Sequence, residues 1–188
     1  MERKQKISTK RIVLAALMAA LTVVGSGLRI KLPASVLGTN AFHLGNIFCA
    51  LSGILLGPGL GGLSAGLGSA IYDMFDPMYI SECWLTFLMK GAYGLVTGLI
   101  VWCGKHRENY LKMTLATVAG AVTYAALYLL KNYFKGIWVK GLVPTASAIA
   151  LLEKIPPTVF NAVVAVIFAP ILASAIRKAL EKNHLTLD

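Results

Sequence analysis

Residues 46–90 decide how this chain folds, and their sequence is NIFCALSGILLGPGLGGLSAGLGSAIYDMFDPMYISECWLTFLMK. Apolar residues dominate on both sides of the Gly-Pro-Gly sequence at 57–59, which favours a tight turn between two hydrophobic spans. Glycines four positions apart, such as Gly62 and Gly66, place small residues on one face of a helix. In lipid, this spacing lets helix backbones pack closely against each other. We therefore predict two closely packed membrane helices in this stretch.

The composition of the whole chain indicates an integral membrane protein. Of its 188 residues, 57% are hydrophobic and 14% are charged, and the mean hydropathy is +0.71. A membrane-spanning helix needs roughly 20 mostly apolar residues, so the chain has room for about six of them. We predict an all-α bundle of six transmembrane helices forming a single membrane domain, 1–188. The predicted helices lie at about 11–30, 41–56, 60–75, 82–102, 113–134 and 151–176.

The basic residues predict the orientation of these helices. The formal net charge is +10, but Lys and Arg cluster at the ends of apolar spans and no aromatic-basic motif accompanies them. We therefore predict no nucleic acid partner. The flanks before residue 12, at 104–112 and after residue 176 are basic, and cytoplasmic loops of membrane proteins carry such an excess. This pattern predicts a multi-pass membrane protein with both termini in the cytoplasm.

Polar and charged side chains within or beside the spans predict a binding pocket at the outer end. An ionisable group in a span is expensive, so Lys90 should face a polar cavity or a carboxylate such as Asp73 or Glu82. The alternative is a structural role, in which Lys90 forms a buried ion pair or extends to the interface. Aromatic side chains among these residues could stack on a ring. The candidate binding residues are Asn46, Asp73, Glu82, Lys90, Tyr128 and Asn161, with Trp84 and Tyr93 as stacking candidates.

Motifs for metal-dependent hydrolysis and for nucleotide hydrolysis are absent from the sequence. It contains no HExxH or P-loop pattern, and we predict no catalytic residues, no metal and no cofactor. Uphill transport would then draw its energy from a partner. Two rival hypotheses are a self-sufficient carrier and an intramembrane metalloenzyme that uses Asp73, Asp76 and Glu82. Cys49, Cys83 and Cys103 lie far apart in apolar surroundings and are predicted to be core residues rather than a disulfide framework.

Three stretches of the chain carry a resemblance to a known family. They are RIVLAALMAALTVV at 11–24, FHLGNIFCALSGILLGPGLGGLSAGLGSAIYD at 42–73 and LMKGAYGLVTGLI at 88–100. Together they resemble the substrate-binding S component of energy-coupling factor (ECF) vitamin transporters, over nearly the whole chain. The glycine-rich block is most similar to the branch associated with uptake of pyridoxine or hydroxymethylpyrimidine. The branches for riboflavin, pantothenate and queuosine precursors remain alternatives.

The resemblance implies a function and a set of partners. An S component captures a small vitamin-like molecule from outside, in a pocket under its external loops. It docks on a transmembrane T component that carries two ABC ATPases, and ATP hydrolysis topples it so that the pocket opens inward. The family's small-residue motif, which packs on the T component, matches Ala15, Ala16, Ala19 and Ala20. The leading hypothesis is therefore the binding subunit of an ECF-type importer and not an enzyme.

Overall fold

The computed structural model describes residues 8–33, 36–104 and 106–183. Arg3, Lys4, Lys6 and Lys105, which belong to the predicted cytoplasmic flanks, lie outside the described residues. The described residues form α1 (Thr9–Gly27), β1 (Arg29–Lys31), β2 (Ala41–His43), α2 (Gly45–Leu56), α3 (Pro58–Phe75), α4 (Cys83–Trp102), α5 (Tyr110–Trp138), α6 (Pro144–Ala150) and α7 (Ile155–Lys182). Two 3₁₀ turns, Ile80–Glu82 and Leu151–Glu153, precede α4 and α7.

Four helical segments of the described chain are long and apolar enough to cross a membrane. They are Thr9–Gly27, Ile80–Trp102, Tyr110–Trp138 and Ile155–Lys182. The helix α2 is apolar but has only 12 residues. At 1.5 Å per residue, it rises about 18 Å, less than the roughly 30 Å of a hydrocarbon core. The number of spans in the membrane therefore stays a prediction.

The short helix α2 lies at the centre of the bundle. Every residue of α2 except Phe48 is buried, and α2 contacts α1, α3, α4 and α7. The glycines make this packing very close, as predicted from their spacing. A Cβ atom added at Gly61 would lie 2.6 Å from the Cα atom of Gly53, and one added at Gly94 would lie 2.8 Å from the carbonyl oxygen of Gly61. The backbones of α2, α3 and α4 thus touch where no side chain would fit.

Side chains from three other segments bind the free carbonyl groups at the C-terminal end of α2. The last carbonyls of a helix have no partner within the helix itself. The guanidinium group of Arg11 donates to the carbonyl oxygen of Leu56 at 2.8 Å. Trp102 Nε1 and Arg177 Nη2 both donate to the carbonyl oxygen of Ile54, each at 3.1 Å. Two of these donors are cationic, which also complements the negative end of the helix dipole.

At the opposite end of α2, the structure corrects two predicted features. The predicted helices at about 11–30 and 41–56 leave residues 31–40 as a connecting loop, with a helix from about residue 41. Instead β1 pairs antiparallel with β2, with Arg29 opposite His43, and α2 begins only at Gly45. The side-chain amide of Asn161 holds β2 in place, because it accepts from the His43 N–H and donates to the Ala41 carbonyl, both at 3.0 Å.

The second correction concerns residues 135–150, which were predicted to be a long outer loop. In the structure α5 continues to Trp138, and residues 144–150 form the short helix α6. Ser147 of α6 donates a hydrogen bond to the carbonyl oxygen of Tyr133 at 2.8 Å. A Cβ atom at Gly136 would lie 3.0 Å from the Ser147 Cβ atom. The glycine therefore lets α6 pack directly on the end of α5.

Candidate functional site

A polar cavity of about 150 Å³ opens at one end of the bundle, which we call the pocket end. Here α1, α3 and α5 end and α2, α4 and α7 begin. The cavity is lined by side chains from all of these helices except α2, and by the hairpin β1–β2 with the segment between its strands. The ionisable lining residues are Arg29, His43, Asp73, Tyr79, Glu82, Lys90, Tyr124, Tyr128, Lys131, Lys135 and Lys154.

Three tyrosines form a stack along one wall of the cavity. The rings of Tyr124 and Tyr128, one turn apart on α5, have centroids 5.8 Å apart and an interplanar angle of 25°. The ring of Tyr93 on α4 stacks behind Tyr124 at 6.1 Å and is fully buried. Because Tyr124 and Tyr128 line the cavity, they offer aromatic surface to a bound ring.

Lys90 lies beside Tyr124, the middle ring of this stack, and is 4% exposed. Its ammonium group donates a hydrogen bond to Asn46 Oδ1, and Nζ lies 4.0 Å from the centroid of the Tyr124 ring. The sequence predicted a polar cavity or a carboxylate as its partner. In the described chain Lys90 forms no salt bridge, so Asp73 and Glu82 do not pair with it directly. Its environment is the cavity, an amide oxygen and an aromatic face.

Glu82 at the start of α4 is held by two lysines of α5. Its carboxylate accepts a hydrogen bond from Lys131 Nζ at 2.6 Å and another from Lys135 Nζ. Lys131 Nζ also lies 5.3 Å from the centroid of the Tyr128 ring. These two ion pairs join α4 to α5 beside the cavity, where two positive charges share one negative charge.

Asp76 fixes the hairpin to the end of α3. Its carboxylate lies 3.0 Å from Lys31 Nζ and 3.6 Å from the Arg29 guanidinium group. Burial alone would raise the pKa of Asp76, but hydrogen bonds from Lys31 and from the Met78 N–H, with the charges of Lys31 and Arg29, lower that pKa below its usual value. Asp76 is therefore ionised at neutral pH and binds the hairpin.

Lys154, just before α7, was not among the sequence-based candidates. It is 1% exposed, lines the cavity, and donates from Nζ to the carbonyl oxygen of Gly38 at 2.9 Å. Burial, followed by the charges of Lys131 and Lys135, lowers the pKa of Lys154 to about 8. Its position within a long apolar stretch was the available signal, comparable with that of Lys90.

His43 on β2 is a second cavity residue that lay outside the sequence-based candidates. Burial lowers the pKa of its imidazole well below the usual value, and the positive charges of Lys90 and Arg29 lower it further. The ring is therefore neutral at neutral pH. Nδ1 accepts a hydrogen bond from the Gly45 N–H at 3.2 Å, which leaves Nε2 as the N–H donor of the neutral ring.

The structure brings most of the sequence-predicted binding residues together. Asp73, Glu82, Lys90, Tyr128 and Asn161 line the cavity. Asn46 lies behind Lys90 and Tyr93 behind Tyr124, so both contact the lining rather than forming it. Trp84 differs, because it is 60% exposed on the outer surface of α4 and does not line this cavity.

The four alanines of α1 lie on two different faces. Ala15 and Ala19 are half-buried, and the carbonyl oxygen of Ala19 lies at the contact between α1 and Gly68 of α3. Ala16 and Ala20 are exposed. Only the second pair is free on the surface of the described chain to receive another helix.

Comparisons with known proteins agree with this architecture. The family described as "ECF-type riboflavin transporter, S component" matches residues 6–178. An uncharacterised protein of Pyrococcus woesei, encoded in the gap 3′ region, is 33% identical over 114 residues, which are 61% of this chain and 72% of that protein.

Two solved structures share the fold. The S component of a bacterial ECF transporter has a TM-score of 0.70 and 15% identity, and the match covers 92% of this chain and 98% of that one. The S component for biotin from an ECF-type ABC transporter has a TM-score of 0.60 and 17% identity, covering 95% of each chain. Because the family match spans nearly all of its 188 residues, the chain belongs to the family of ECF-type transporter S components, which are substrate-binding subunits and not enzymes.

Proposed function

We propose that this chain captures a small, ring-containing vitamin or vitamin precursor in the cavity at the pocket end and delivers it for ATP-driven uptake. The observation that carries the proposal is the side-by-side arrangement of an aromatic wall and a buried polar group. Tyr124 and Tyr128 present stacked rings, and Lys90 with Asn46 supplies hydrogen bonds beside that wall. Binding pockets of this kind use apolar or aromatic surface for affinity and a few polar groups for orientation.

Flavins are the first ligands to test, because the matching family is described by riboflavin. The sequence favoured a pyridoxine-like or hydroxymethylpyrimidine-like ligand. Such a ligand also contains a flat ring, which could stack on the same wall of Tyr124 and Tyr128. Pantothenate and queuosine precursors are the other alternative ligands that the sequence suggested. The ring-stacking geometry at Tyr124 and Tyr128 favours the ring-containing members over pantothenate.

We further propose that six helices cross the cytoplasmic membrane, with both termini in the cytoplasm and the pocket end outside. The support comes from the distribution of basic residues, because Arg11, Arg107, Lys112 and Arg177 lie at the end opposite the pocket. An excess of Lys and Arg is typical of cytoplasmic loops. The short helix α2 fits this arrangement, since the cavity and the hairpin fill the space above its N-terminal end.

The proposed partners are a T component and two ABC ATPases, which would supply the energy. The exposed residues Ala16 and Ala20 on α1 offer a smooth surface for a helix of the T component. The chain alone would then bind its ligand without transporting it.

The test begins with the purified chain in lipid nanodiscs. Small molecules released from the protein by denaturation are identified by mass spectrometry, and their affinity is measured by calorimetry after removal and return. A flavin, pyridoxine-like or pyrimidine species in stoichiometric amount supports the proposal. The second step compares uptake by liposomes that contain the chain alone with uptake by liposomes that also contain the T component and ATPases. Uptake by the chain alone without ATP would overturn the proposal and favour a self-sufficient carrier.

A further inference from the structure

The lining of the cavity carries more positive than negative charge. Five basic side chains and two acidic ones, Asp73 and Glu82, face it. The basic ones are Arg29, Lys90, Lys131, Lys135 and Lys154. A vitamin without charge, such as riboflavin, would leave this excess uncompensated. The excess of positive charge is not spread evenly over the pocket.

The inner part of the pocket is close to balance. Arg29 and Lys31 share the carboxylate of Asp76, as described above. The remaining charges there are Lys90 and the buried carboxylate of Asp73, which is 8% exposed and lowers the electrostatic cost of the lysine. Lys90 also has the amide oxygen of Asn46 and the face of Tyr124. Arg29, Lys31 and Lys90 are thus three cations for two carboxylates, so the inner part carries an excess of one positive charge.

The larger excess lies in a second group, Lys131, Lys135 and Lys154, which we call the lysine cluster. Glu82 binds Lys131 and Lys135, so its single charge is already shared between two ammonium groups. Lys154 is 1% exposed and has no carboxylate within 4.0 Å among the described residues. Its one hydrogen bond goes to the neutral carbonyl oxygen of Gly38. An ammonium group has three donors, so Lys154 retains hydrogen-bonding capacity toward the cavity that it lines.

A buried cation without a counter-charge is unfavourable, unless a ligand completes the site. The low pKa of Lys154, about 8, reflects this state, because burial and the charges of Lys131 and Lys135 oppose its protonation. An anionic group placed within the cluster would attract the protonated side chain of Lys154 and so offset both the burial and the repulsion from Lys131 and Lys135. Charge-assisted hydrogen bonds from lysine to carboxylate or phosphate are also stronger than those between neutral groups.

We propose that the ligand of this pocket is an organic anion, and that the lysine cluster, which includes the buried Lys154, binds its carboxylate or phosphate group. This inference rests on the proposed function, since it names the chemical class of the captured molecule. The ring of the ligand lies against Tyr124 and Tyr128, and its acidic group extends toward the mouth of the cavity. Glu82 holds Lys131 and Lys135 in position for that group.

The test uses matched pairs of probes that differ by one acidic group. The pairs are flavin mononucleotide with riboflavin, pyridoxal 5′-phosphate with pyridoxal, and pantothenate with panthenol. Dissociation constants are measured by calorimetry on the full chain in nanodiscs at neutral pH. We expect the anionic member of the best-binding pair to bind roughly tenfold tighter than its neutral counterpart, equivalent to about 1.4 kcal/mol.

Substitutions then assign this preference to the cluster. In Lys154→Gln, we expect the preference for the anionic over the neutral member to fall to about threefold or less, because the positive charge is removed. Lys154→Arg keeps the charge and should retain most of the preference. Lys140→Gln is the matched control, because Lys140 is an exposed lysine that follows α5 and does not line the cavity. Thermal unfolding of each variant confirms that it is folded.

Three results would overturn the inference. The first is that neutral members bind as tightly as anionic ones, and the second is that Lys154→Gln keeps the full preference. The third result concerns the case in which no probe binds. If the protein then copurifies with a molecule that is uncharged at neutral pH, the inference is wrong. A protein that binds no small molecule and supports no ATP-driven uptake with its partners would instead refute the proposed function itself.

Discussion

Lys90 Nζ lies 4.0 Å from the centroid of the Tyr124 ring, and this contact joins the polar and aromatic parts of the pocket. A desolvated cation over an aromatic face contributes about 2 kcal/mol. The contact also helps to fix the orientation of the Tyr124 ring, which stacks with the rings of Tyr93 and Tyr128. Lys90 thereby positions the tyrosine wall on which a ligand ring would stack. Its ammonium group can also donate hydrogen bonds to the ligand.

Lys90→Ala is expected to weaken ligand binding while leaving the protein folded. The substitution removes a hydrogen bond from a charged group, worth about 1.5–3 kcal/mol, or about tenfold to a hundredfold in the dissociation constant. Calorimetry on the purified variant measures the affinity, with Lys140→Ala as the control for loss of an exposed lysine. An unchanged affinity would assign Lys90 a purely structural role.

Tyr128 provides a test of ring stacking that separates the aromatic ring from the hydroxyl group. We expect Tyr128→Leu to weaken binding of a ring-containing ligand by about threefold to tenfold, because an aromatic pair contributes about 0.5–1.5 kcal/mol beyond its buried area. Tyr128→Phe keeps the ring and should bind nearly as well as the original protein. Equal losses in both variants would indicate that the hydroxyl group, rather than the ring, makes the contact.

The sequence allowed prediction of features that depend on local pattern. Hydropathy indicated the apolar helices, and glycine spacing indicated the close contact of α2 with α3. Placing an ionisable group within a membrane span costs free energy, which indicated that Lys90 belongs to a pocket. These inferences need only the identity and spacing of neighbouring residues.

Other features depend on contacts between distant parts of the chain. The hairpin β1–β2 is held by the Asn161 amide, which lies 118 residues beyond His43 in the sequence. Lys154 joins the cavity through Gly38, at a separation of 116 residues. Trp84 was expected to stack on the ligand because it is an aromatic residue among the polar residues predicted at the outer end of the spans, yet it is largely exposed and outside the cavity. Sequence proximity did not indicate which face of α4 each residue occupies.

The affinity of an anionic ligand is expected to depend on pH through Lys154. Its pKa of about 8 means that the side chain is mostly protonated at neutral pH and loses its charge as the pH rises through about 8. Binding of the anionic probe should therefore be constant below this range and weaken above it. The charged neighbours are Lys131 and Lys135 on α5, Glu82 before α4 and the adjacent Glu153.

The control for this pH dependence is the variant Lys154→Gln, which has no titrating group at this position. Calorimetry between neutral and mildly alkaline pH should give a flat profile for the variant and a declining one for the original chain. The neutral member of the same probe pair should show little change in either protein. A decline that persists in Lys154→Gln would assign the titration to another group.

Gly61 and Gly59 provide a matched pair for testing the close packing of α2, α3 and α4. A Cβ atom at Gly61 would lie 2.6 Å from both the Gly53 Cα atom and the Ser52 carbonyl oxygen, whereas one at Gly59 would have no neighbour within 4 Å. We expect Gly61→Ala to destabilise the protein by about 1–3 kcal/mol, because backbone must move to admit the methyl group. Gly59→Ala should be close to neutral. Thermal unfolding in detergent measures both, and equal melting temperatures would refute the close contact.

Ala16→Trp tests the proposed docking surface on α1 without disturbing the pocket. Ala16 is exposed near the end of the bundle opposite the cavity, so a bulky side chain there should leave ligand affinity unchanged. It should prevent the close approach of a T-component helix, because small residues are needed where helix backbones touch in lipid. Copurification with the T component and ATPases, together with uptake in liposomes, measures the loss. Leu115→Trp is the control, since Leu115 is 57% exposed on α5 toward the same end of the bundle. If Ala16→Trp assembles and transports as well as Leu115→Trp, the partner docks on a different face of the chain.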